Sequence, residues 1–207
     1  HKLNRFGLPQ VRERAIVIAV RNDLTIRTLP DLWQGHTISA DALTVKTAIG
    51  HLPSLRAGQV DPTDEAHVSP RFVSDHALGR IMAIPPDGGS WRDLMTGGKE
   101  STKYLTPAML RLIEARKLGN HPDVYGRMSW NKPAPTIKRE CGHVGNGRYV
   151  HPVDDRLCTL REMAILNGFP SDYRFGGTSL ANKYRHVGDA VPPMISYQIA
   201  CAVDWTI

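Results

Sequence analysis

The first regular element that the hydrophobic pattern predicts lies near the amino terminus. Residues 15–20 form an unbroken apolar run rich in β-branched side chains. Such a run is typical of a strand buried on both faces of an α/β sheet. It is also the longest apolar run in the chain, far short of the roughly 20 residues that span a bilayer, and no signal pattern precedes it. We therefore expect a soluble, cytoplasmic protein of the α/β class.

Capping residues predict two helices in the middle of the chain. Thr44 is placed to cap a short helix through Leu52, and the acidic, proline-containing stretch 54–70 is predicted to be a loop. Thr106 precedes a proline suited to the first helical turn, so a second helix is expected to end near Gly119. Residues 131–139 contain two prolines followed by alternating polar and apolar positions, which is typical of an edge strand in a small, β-rich insertion.

Regular structure is predicted again near the carboxyl terminus. Thr159 and Glu162 have the spacing of a capping box, so a helix is expected from there to Asn167, with Gly168 as its stop. A last helix is expected to begin at residues 192–193, where two prolines precede an apolar stretch.

The positive charge of the chain is concentrated in one segment. The net charge is +6, and residues 103–149 alone hold nine Lys or Arg against three Asp or Glu, interleaved with Tyr and Trp. A phosphate-binding surface has this composition, although a solvated basic face has it too. The three cysteines lack C-x-x-C spacing and the histidines are scattered, so reduced thiols are expected, and neither a disulfide framework nor a metal site.

Three polar side chains alternate just before the apolar run. Gln10, Arg12 and Arg14 would share one face at the entrance of a strand, where two cations and a carboxamide could bind a phosphate or a base edge. Ion pairing of the two arginines with buried carboxylates is the structural alternative.

Taken in order, several motifs resemble one family. Residues 9–14, hereafter the arginine motif, read Pro-Gln-Val-Arg-Glu-Arg and look like the eighth conserved motif of DNA cytosine-5 methyltransferases. Residues 125–137 and 145–152 resemble the target recognition domain of the bacterial enzymes, which runs into a likeness to their ninth motif at residues 156–170. The stretch 125–152 is hereafter called the recognition segment. Residues 187–193 are similar to the tenth. Residues 23–43 and 100–120 are unmatched.

The resemblance implies a fold and a division of the chain. The expected fold is α/β: part of a Rossmann-like domain that uses S-adenosylmethionine, plus an irregular, partly β target recognition domain. The implied boundaries are 1–50 and 159–207 for the catalytic domain and 51–158 for target recognition. The family's glycine-rich cofactor loop, Pro-Cys nucleophile and Glu-Asn-Val motif do not occur in this chain. It is therefore expected to be the carboxyl-terminal portion of such an enzyme, inactive without an amino-terminal part or subunit that carries the catalytic cysteine.

The resemblance also assigns roles to residues. It implies that a cytosine is flipped out of duplex DNA and methylated at C5, as in restriction-modification systems. Arg14 would touch the base and Arg12 would help to order the active-site loop and backbone, with Gln10 beside them. Thr136 is expected to pack against the sugar-phosphate of the flipped nucleotide. The full sets implied are Gln10, Arg12 and Arg14 for catalysis; Arg127, Thr136, Lys138, Arg139, Asn146 and Arg148 for DNA binding; and Gly188, Asp189, Ala190 and Val191 for the cofactor.

Some positions are expected to be structural or depart from the family pattern. The charged residues of the ninth-motif helix, Arg156, Arg161 and Glu162, are interpreted as structural. Asp189 stands where the family usually has asparagine, so it keeps a hydrogen-bond acceptor and loses a donor. Two other functions stay open at this point: a non-catalytic DNA-binding module derived from such an enzyme, and an RNA-acting relative.

Overall fold

The computed structural model describes residues 1–17, 19, 21–23, 42–95, 101–115 and 123–206. Short helices and one hairpin follow each other along these ranges, joined by loops and 3₁₀ turns. The elements are α1 (Val45–Ile49), β1 (Val60–Asp61), β2 (Asp64–Val68), α2 (Asp75–Ala83), α3 (Pro107–Glu114), α4 (Leu160–Leu166), α5 (Leu180–Asp189) and α6 (Pro193–Thr206). None of the helices in the described ranges combines the length and the hydropathy needed to cross a bilayer.

Hydroxyl side chains begin most of these helices. Thr44, Thr106 and Thr159 each accept a hydrogen bond from the backbone amide three residues on, so the predicted starts of α1, α3 and α4 are confirmed. A capping hydroxyl satisfies a backbone donor that has no partner within the helix. Helices α2 and α5 lie where no helix is predicted, although Ser74 and Ser179 cap them in the same way.

The predicted helix ends agree less uniformly with the structure. Gly168 has a positive φ of 76° and ends α4 as expected. Its amide donates to Ile165, and that of Phe169 donates to Ala164, which is the Schellman arrangement. By contrast, α1 ends at Ile49, short of Leu52. Helix α3 ends at Glu114, and Gly119 lies outside the described residues.

Strand predictions in the middle of the chain are wrong in both directions. The stretch 54–70, predicted to be a loop, contains the antiparallel hairpin β1–β2. The Asp61 carboxylate stabilises its turn by accepting hydrogen bonds from the amide and hydroxyl of Thr63. On β2 the side chains of Ala66 and His67 are buried. Residues 131–139 instead form no strand. Their two prolines lack amide donors, and one bridge, from Gln10 to Ala134, is the pairing recorded there. The described part of the recognition segment is therefore irregular rather than β-rich.

The described residues of the apolar run, 15–17 and 19, do not form the predicted buried strand. No strand is assigned at residues 15–17 or 19, and the side chain of Val17 is 88% exposed. Ile18 and Val20 lie outside the described residues. A central strand needs hydrogen-bonded neighbours on both sides, and no described segment pairs with this run.

Two hydrophobic clusters hold the described residues together. The smaller joins the amino-terminal turn to α6 through Leu3, Phe6, Leu8 and Ile195. The larger extends from Val45 to Val187. It includes α4, which packs against α1, β2 and α5. Because this cluster contains residues on both sides of positions 50 and 158, the proposed three-part division of the chain stays a prediction.

A buried ion pair lies at the start of α4. Arg156 donates to both carboxylate oxygens of Glu162, at 2.7 and 2.8 Å, and both side chains are 1% exposed. The same carboxylate accepts the amide of Thr159 at 2.7 Å and closes the predicted capping box. The structural interpretation of these residues is confirmed. Buried charges of this kind are tolerated because each one has a partner of opposite charge and further hydrogen bonds.

His151 lies against this ion pair and is buried as the neutral ring. Its Nδ1 accepts the amide of Asp154 at 2.9 Å, and its Nε2 lies 3.9 Å from Glu162. Burial lowers the pKa of His151 to about 4; the charges of Glu162 and Asp154 oppose this effect, and those of Arg156 and Arg127 add to it. The ring therefore carries no charge in the folded protein near neutral pH.

We predict that stability falls as the pH drops from 6.5 to 5. The unfolded chain binds a proton at His151 near pH 6.5, whereas the folded chain does not. The free energy of unfolding is therefore expected to fall by roughly 2 kcal/mol between pH 6.5 and pH 5. The measurement is urea unfolding at several pH values. His151→Asn is the control, since its Oδ1 can accept the same amide and does not titrate. A variant that loses stability as steeply as the unaltered chain would contradict the assignment to His151.

Candidate functional site

The carboxamide of Gln10 connects segments that lie far apart in the sequence. Gln10 is fully buried, and its Nε2 donates to the Asn167 side chain at 2.8 Å and to the Leu166 carbonyl at 3.2 Å. Its Oε1 accepts the amide of Ile137 at 2.9 Å. Asn167 in turn donates to the carbonyl of Val187 at 2.7 Å. The arginine motif, the recognition segment, α4 and α5 thus meet at one hydrogen-bonded cluster, which we call the Gln10 cluster.

Arg12 extends from the Gln10 cluster as a buried cation. It is 7% exposed, and its Nη1 donates to the Ile137 carbonyl at 3.0 Å and to Gln10 at 3.4 Å. Its Nε is buried without a hydrogen-bond partner among the described residues. Burial lowers the pKa of Arg12, and the nearby charge of Arg14 lowers it further. An unneutralised guanidinium with a free donor is suited to bind an anion.

Arg14 lies at the edge of the same group. It is exposed, and its Nη1 donates to the carbonyl of Glu13 at 2.6 Å. Neither Arg14 nor Arg12 forms an ion pair with a carboxylate in the part of the chain that the structure describes. The structural alternative for the motif, pairing with buried carboxylates, is therefore not found there.

The arginine motif runs alongside the recognition segment. The Ala134 amide donates to the Pro9 carbonyl at 2.9 Å, and the Val11 amide donates to the Ala134 carbonyl at 2.7 Å. The hydroxyl of Thr136 donates to the Val11 carbonyl at 2.6 Å. A cavity of about 320 Å³ opens beside this contact, lined by Val11, Ser129, Lys132, Pro133, Pro135, Thr136 and Arg148. Lys132 is an exposed cation on this wall that is not among the residues predicted to bind DNA. Its place in the sequence Lys-Pro-Ala-Pro-Thr, four residues before Thr136, could have indicated it.

Arg127 does not lie where a DNA contact requires. It is 2% exposed, and its five N–H donors bond the carbonyls of Ile81, Ile84, His151 and Asp154 and the carboxylate of Asp155. No donor remains for a phosphate or a base. The assignment of Arg127 to DNA binding is therefore corrected to a structural role.

The other residues predicted to bind DNA differ in how many of their polar groups are already bonded within the chain. Arg148 is partly buried; it donates to the carbonyls of Gly88 and Gly89 and pairs with Asp123 at 3.2 Å. Lys138 is exposed and makes no ion pair among the described residues, whereas Arg139 pairs with Asp189. Asn146 is also exposed, and its amide donates to the carbonyl of Glu140 at 3.4 Å.

The four predicted cofactor residues surround the end of α5. Gly188 is buried, and a Cβ built on it would overlap the Lys138 carbonyl and the Arg139 amide. The Asp189 side chain is directed to Arg139. Ala190 is half-buried and Val191 is 63% exposed.

Comparison with known proteins decides the family. A model of the C-5 cytosine-specific DNA methylase family matches residues 2–205. The chain belongs to this family of DNA methylases. It is 33% identical over 202 residues to the type II methylase M.HgiDII of Herpetosiphon aurantiacus, covering 96% of this chain and 52% of that enzyme.

Two further relatives share the family. The type II methyltransferase M.PspPI of a Psychrobacter species is 29% identical over 198 residues, which are 96% of this chain and 43% of that protein. DNA (cytosine-5)-methyltransferase 3 of Arabidopsis thaliana is 31% identical over 173 residues, which are 76% of this chain and 12% of that protein. The methylase chain thus spans about half, or less, of the length of these relatives.

Methylases of this family take their methyl group from S-adenosylmethionine, so the fit of that cofactor can be tested here. A ligand with a nucleoside and an amino-acid part needs polar groups that orient it. The space at Gly188 is filled by backbone, and Asp189 is paired with Arg139. Ala190 and Val191 remain, and their side chains offer apolar contact only. The residues at 188–191 therefore do not fit the cofactor by themselves.

The buried thiols of this methylase chain are not suited to nucleophilic attack. Burial raises the pKa of Cys141 to about 12 and raises that of Cys158 well above its usual value. The thiolate is the reactive form of cysteine, so both groups are inert near neutral pH. Cys201 is exposed on α6 and does not follow a proline.

We predict that Gly188→Ala destabilises the chain by about 1–3 kcal/mol, because the new methyl group overlaps the Lys138 and Arg139 backbone. In a helix, alanine is more stable than glycine by about 1 kcal/mol. A loss of stability in Gly188→Ala would therefore show that the steric overlap outweighs the higher helix propensity of alanine. Gly176→Ala is the matched control, since no heavy atom lies within 4 Å of its Cβ position. The check is the urea midpoint; a Gly188→Ala chain as stable as the Gly176→Ala chain would refute the contact.

Proposed function

We propose that this chain is the target-recognition and base-binding portion of a DNA (cytosine-5-)-methyltransferase. It acts on duplex DNA together with a polypeptide that supplies the catalytic cysteine and most of the cofactor site. The observation that carries the proposal is the Gln10 cluster, which holds Arg12 of the arginine motif beside Ile137 of the recognition segment, next to the bond from Thr136 to Val11.

The chemistry of cytosine methylation explains the use of these residues. Carbon C5 of cytosine becomes nucleophilic after a thiolate adds to C6, and the flipped base must be held while charge moves into the ring. Arg14 is exposed at the edge of the arginine motif and is proposed to donate to the base where that charge develops. Arg12 is proposed to help order the backbone around the site, since it is buried and its Nη1 donates to the Ile137 carbonyl. Gln10 is a positioning residue, because its donors and acceptor are used inside the fold.

Thr136 and the cations near it are proposed to bind the DNA backbone. Its hydroxyl is donated to Val11, which fixes the wall of the 320 Å³ cavity that also includes Lys132. Phosphate contacts of this kind set position, and base contacts set specificity. Lys138 and Asn146, both exposed, are the remaining candidates of the predicted set for contact with the duplex.

Exposed apolar side chains support the need for a second polypeptide. On and just before α6, Val191 and Tyr197 are 63% and 72% exposed, and Val17 of the amino-terminal apolar run is 88% exposed. Ile16 and Ile199 pack in the same small cluster, so the amino-terminal run lies next to α6. Exposed apolar side chains on neighbouring elements are typical of a surface that another polypeptide covers. We propose that the part carrying the Pro-Cys motif packs there and adds the strands that residues 15–20 need as neighbours.

The test of the proposed function is transfer of labelled methyl groups from S-adenosylmethionine to duplex DNA. The assay uses this chain alone, and this chain mixed with the polypeptide encoded immediately upstream. We expect activity in the mixture only, because the buried thiols of this chain are unreactive. Activity of the chain alone would overturn the proposed division of labour, and binding without transfer in the mixture would favour a non-catalytic DNA-binding module. Matched RNA duplexes test the RNA-acting alternative.

We predict that Arg14→Ala lowers methyl transfer by the mixture about 100-fold or more while duplex affinity stays within about threefold. The reason is that the guanidinium is proposed to stabilise charge in the transition state rather than to hold the duplex. Arg5→Ala is the control, since Arg5 is an exposed cation in the same amino-terminal region. Normal turnover of the Arg14→Ala mixture, or an equal loss with Arg5→Ala, would contradict the role of Arg14.

A further inference from the structure

We propose that Arg139 and Asp189 form a positioning pair that fixes the recognition segment to the end of α5, and that Arg139 does not contact DNA phosphate. The inference rests on the proposed function and deepens it, because it assigns two residues that sequence patterns divide between DNA binding and cofactor binding.

The backbone contact at Gly188 is the first part of the argument. Here α5 approaches the recognition segment so closely that no side chain fits between Gly188 and the peptide joining Lys138 to Arg139. Further hydrogen bonds fix the same peptide. The amide of Lys138 donates to the Tyr149 hydroxyl at 3.2 Å, and its carbonyl accepts the Cys141 amide at 3.0 Å.

Two ion pairs bracket this backbone contact. Arg139 pairs with Asp189, and Glu140 pairs with Arg185 at 3.0 Å. Positions 185 and 189 are four residues apart and so lie on one face of α5. Arg139 and Glu140, which are consecutive in the recognition segment, are therefore each paired with a residue of opposite charge on α5. A shift along the helix by one turn would break both pairs, so the pattern specifies one register.

The surroundings of Arg139 disfavour a phosphate. Its guanidinium is already paired with Asp189, and the carboxylate of Glu140 lies 3.8 Å away. A phosphate approaching Arg139 would meet two negative charges, which cost energy at such distances. Lys138, one residue earlier, is exposed and has no ion pair among the described residues. The duplex is thus expected to use Lys138.

The pair also connects two parts of the proposed site. Asp189 is followed at once by Ala190 and Val191, which are the residues of this stretch with free apolar surface. On the other side of α5, the Val187 carbonyl is held by Asn167 of the Gln10 cluster. A change at Arg139 is therefore expected to disturb the end of α5 and, through Val187, the Gln10 cluster.

The experiment separates a positioning role from a phosphate contact by salt dependence. Duplex affinity of the mixture is measured from 50 to 200 mM salt for Arg139→Gln and Lys138→Gln. Each phosphate contact adds about 0.9 to the slope of log affinity against log salt. We expect Lys138→Gln to reduce the slope by about that amount and Arg139→Gln to leave it unchanged. A reduced slope for Arg139→Gln would overturn the proposal.

A double-mutant cycle tests the pair itself. Arg139→Gln and Asp189→Ala are each expected to lower the duplex affinity of the mixture at fixed salt about threefold to fivefold, which is the range of a partly exposed ion pair. The double variant should resemble either single variant, because the pair is lost once. Arg139→Lys, which keeps the charge, should restore the affinity. Additive effects, or no rescue by lysine, would refute the pair.

The two proposals can fail separately. If the unaltered mixture neither binds duplex DNA nor transfers methyl groups, the proposed function is contradicted, and with it the role of the pair in that site. If the unaltered mixture is active and the Arg139→Gln slope falls, the positioning pair alone is wrong. Melting temperatures of the single variants should stay within about 2 °C of the unaltered chain, since exposed ion pairs contribute little to stability.

Discussion

The side chain of Gln10 is fully buried at a point where four separate stretches of the chain meet. A buried carboxamide costs free energy unless its donors and acceptor are bonded, and here all are. The partners come from two distant stretches: Ile137 from the recognition segment, and Leu166 and Asn167 from the end of α4. Asn167 carries the connection on to Val187. Because the partners must all be in place, this one side chain sets how the arginine motif, the recognition segment and the last helices are arranged.

Buried charges take over much of the ordering that a large sheet would supply. Outside the β1–β2 hairpin, the described pairing is limited to isolated bridges, so long loops need other partners for their backbone groups. Arg127 bonds four carbonyls and a carboxylate, and Arg156 pairs with Glu162 below the capping box. Arg161 bonds both carboxylate oxygens of Asp64 and so ties α4 to β2. Removing a partner from such a pair would leave a buried charge, which is why these arginines are structural.

Sequence reasoning succeeded where the deciding interaction is local. The caps at Thr44, Thr106 and Thr159 act within four residues, and the Gly168 stop depends on a positive φ that glycine adopts easily. It failed where the partner is distant. The β1–β2 hairpin was hidden by its acidic turn, and Arg127 gave no sign that its donors were taken by residues up to 46 positions away. The role of Asn167 likewise depends on Gln10, at the other end of the chain.

The charge of the recognition region shows the same dependence on distant partners. Nine basic residues between positions 103 and 149 suggest a strongly positive surface. In the folded chain Arg127 is buried and paired with Asp155, Arg148 is paired with Asp123, and Arg139 is paired with Asp189. Lys132 and Lys138 are exposed, make no ion pair among the described residues and lie on either side of Thr136, whereas Arg111, which is also exposed, lies apart from them on α3. Together with Arg14 the two lysines place free positive charge along the border between the arginine motif and the recognition segment. Composition alone therefore overstates the size of the basic surface, whereas the fold gives it a position.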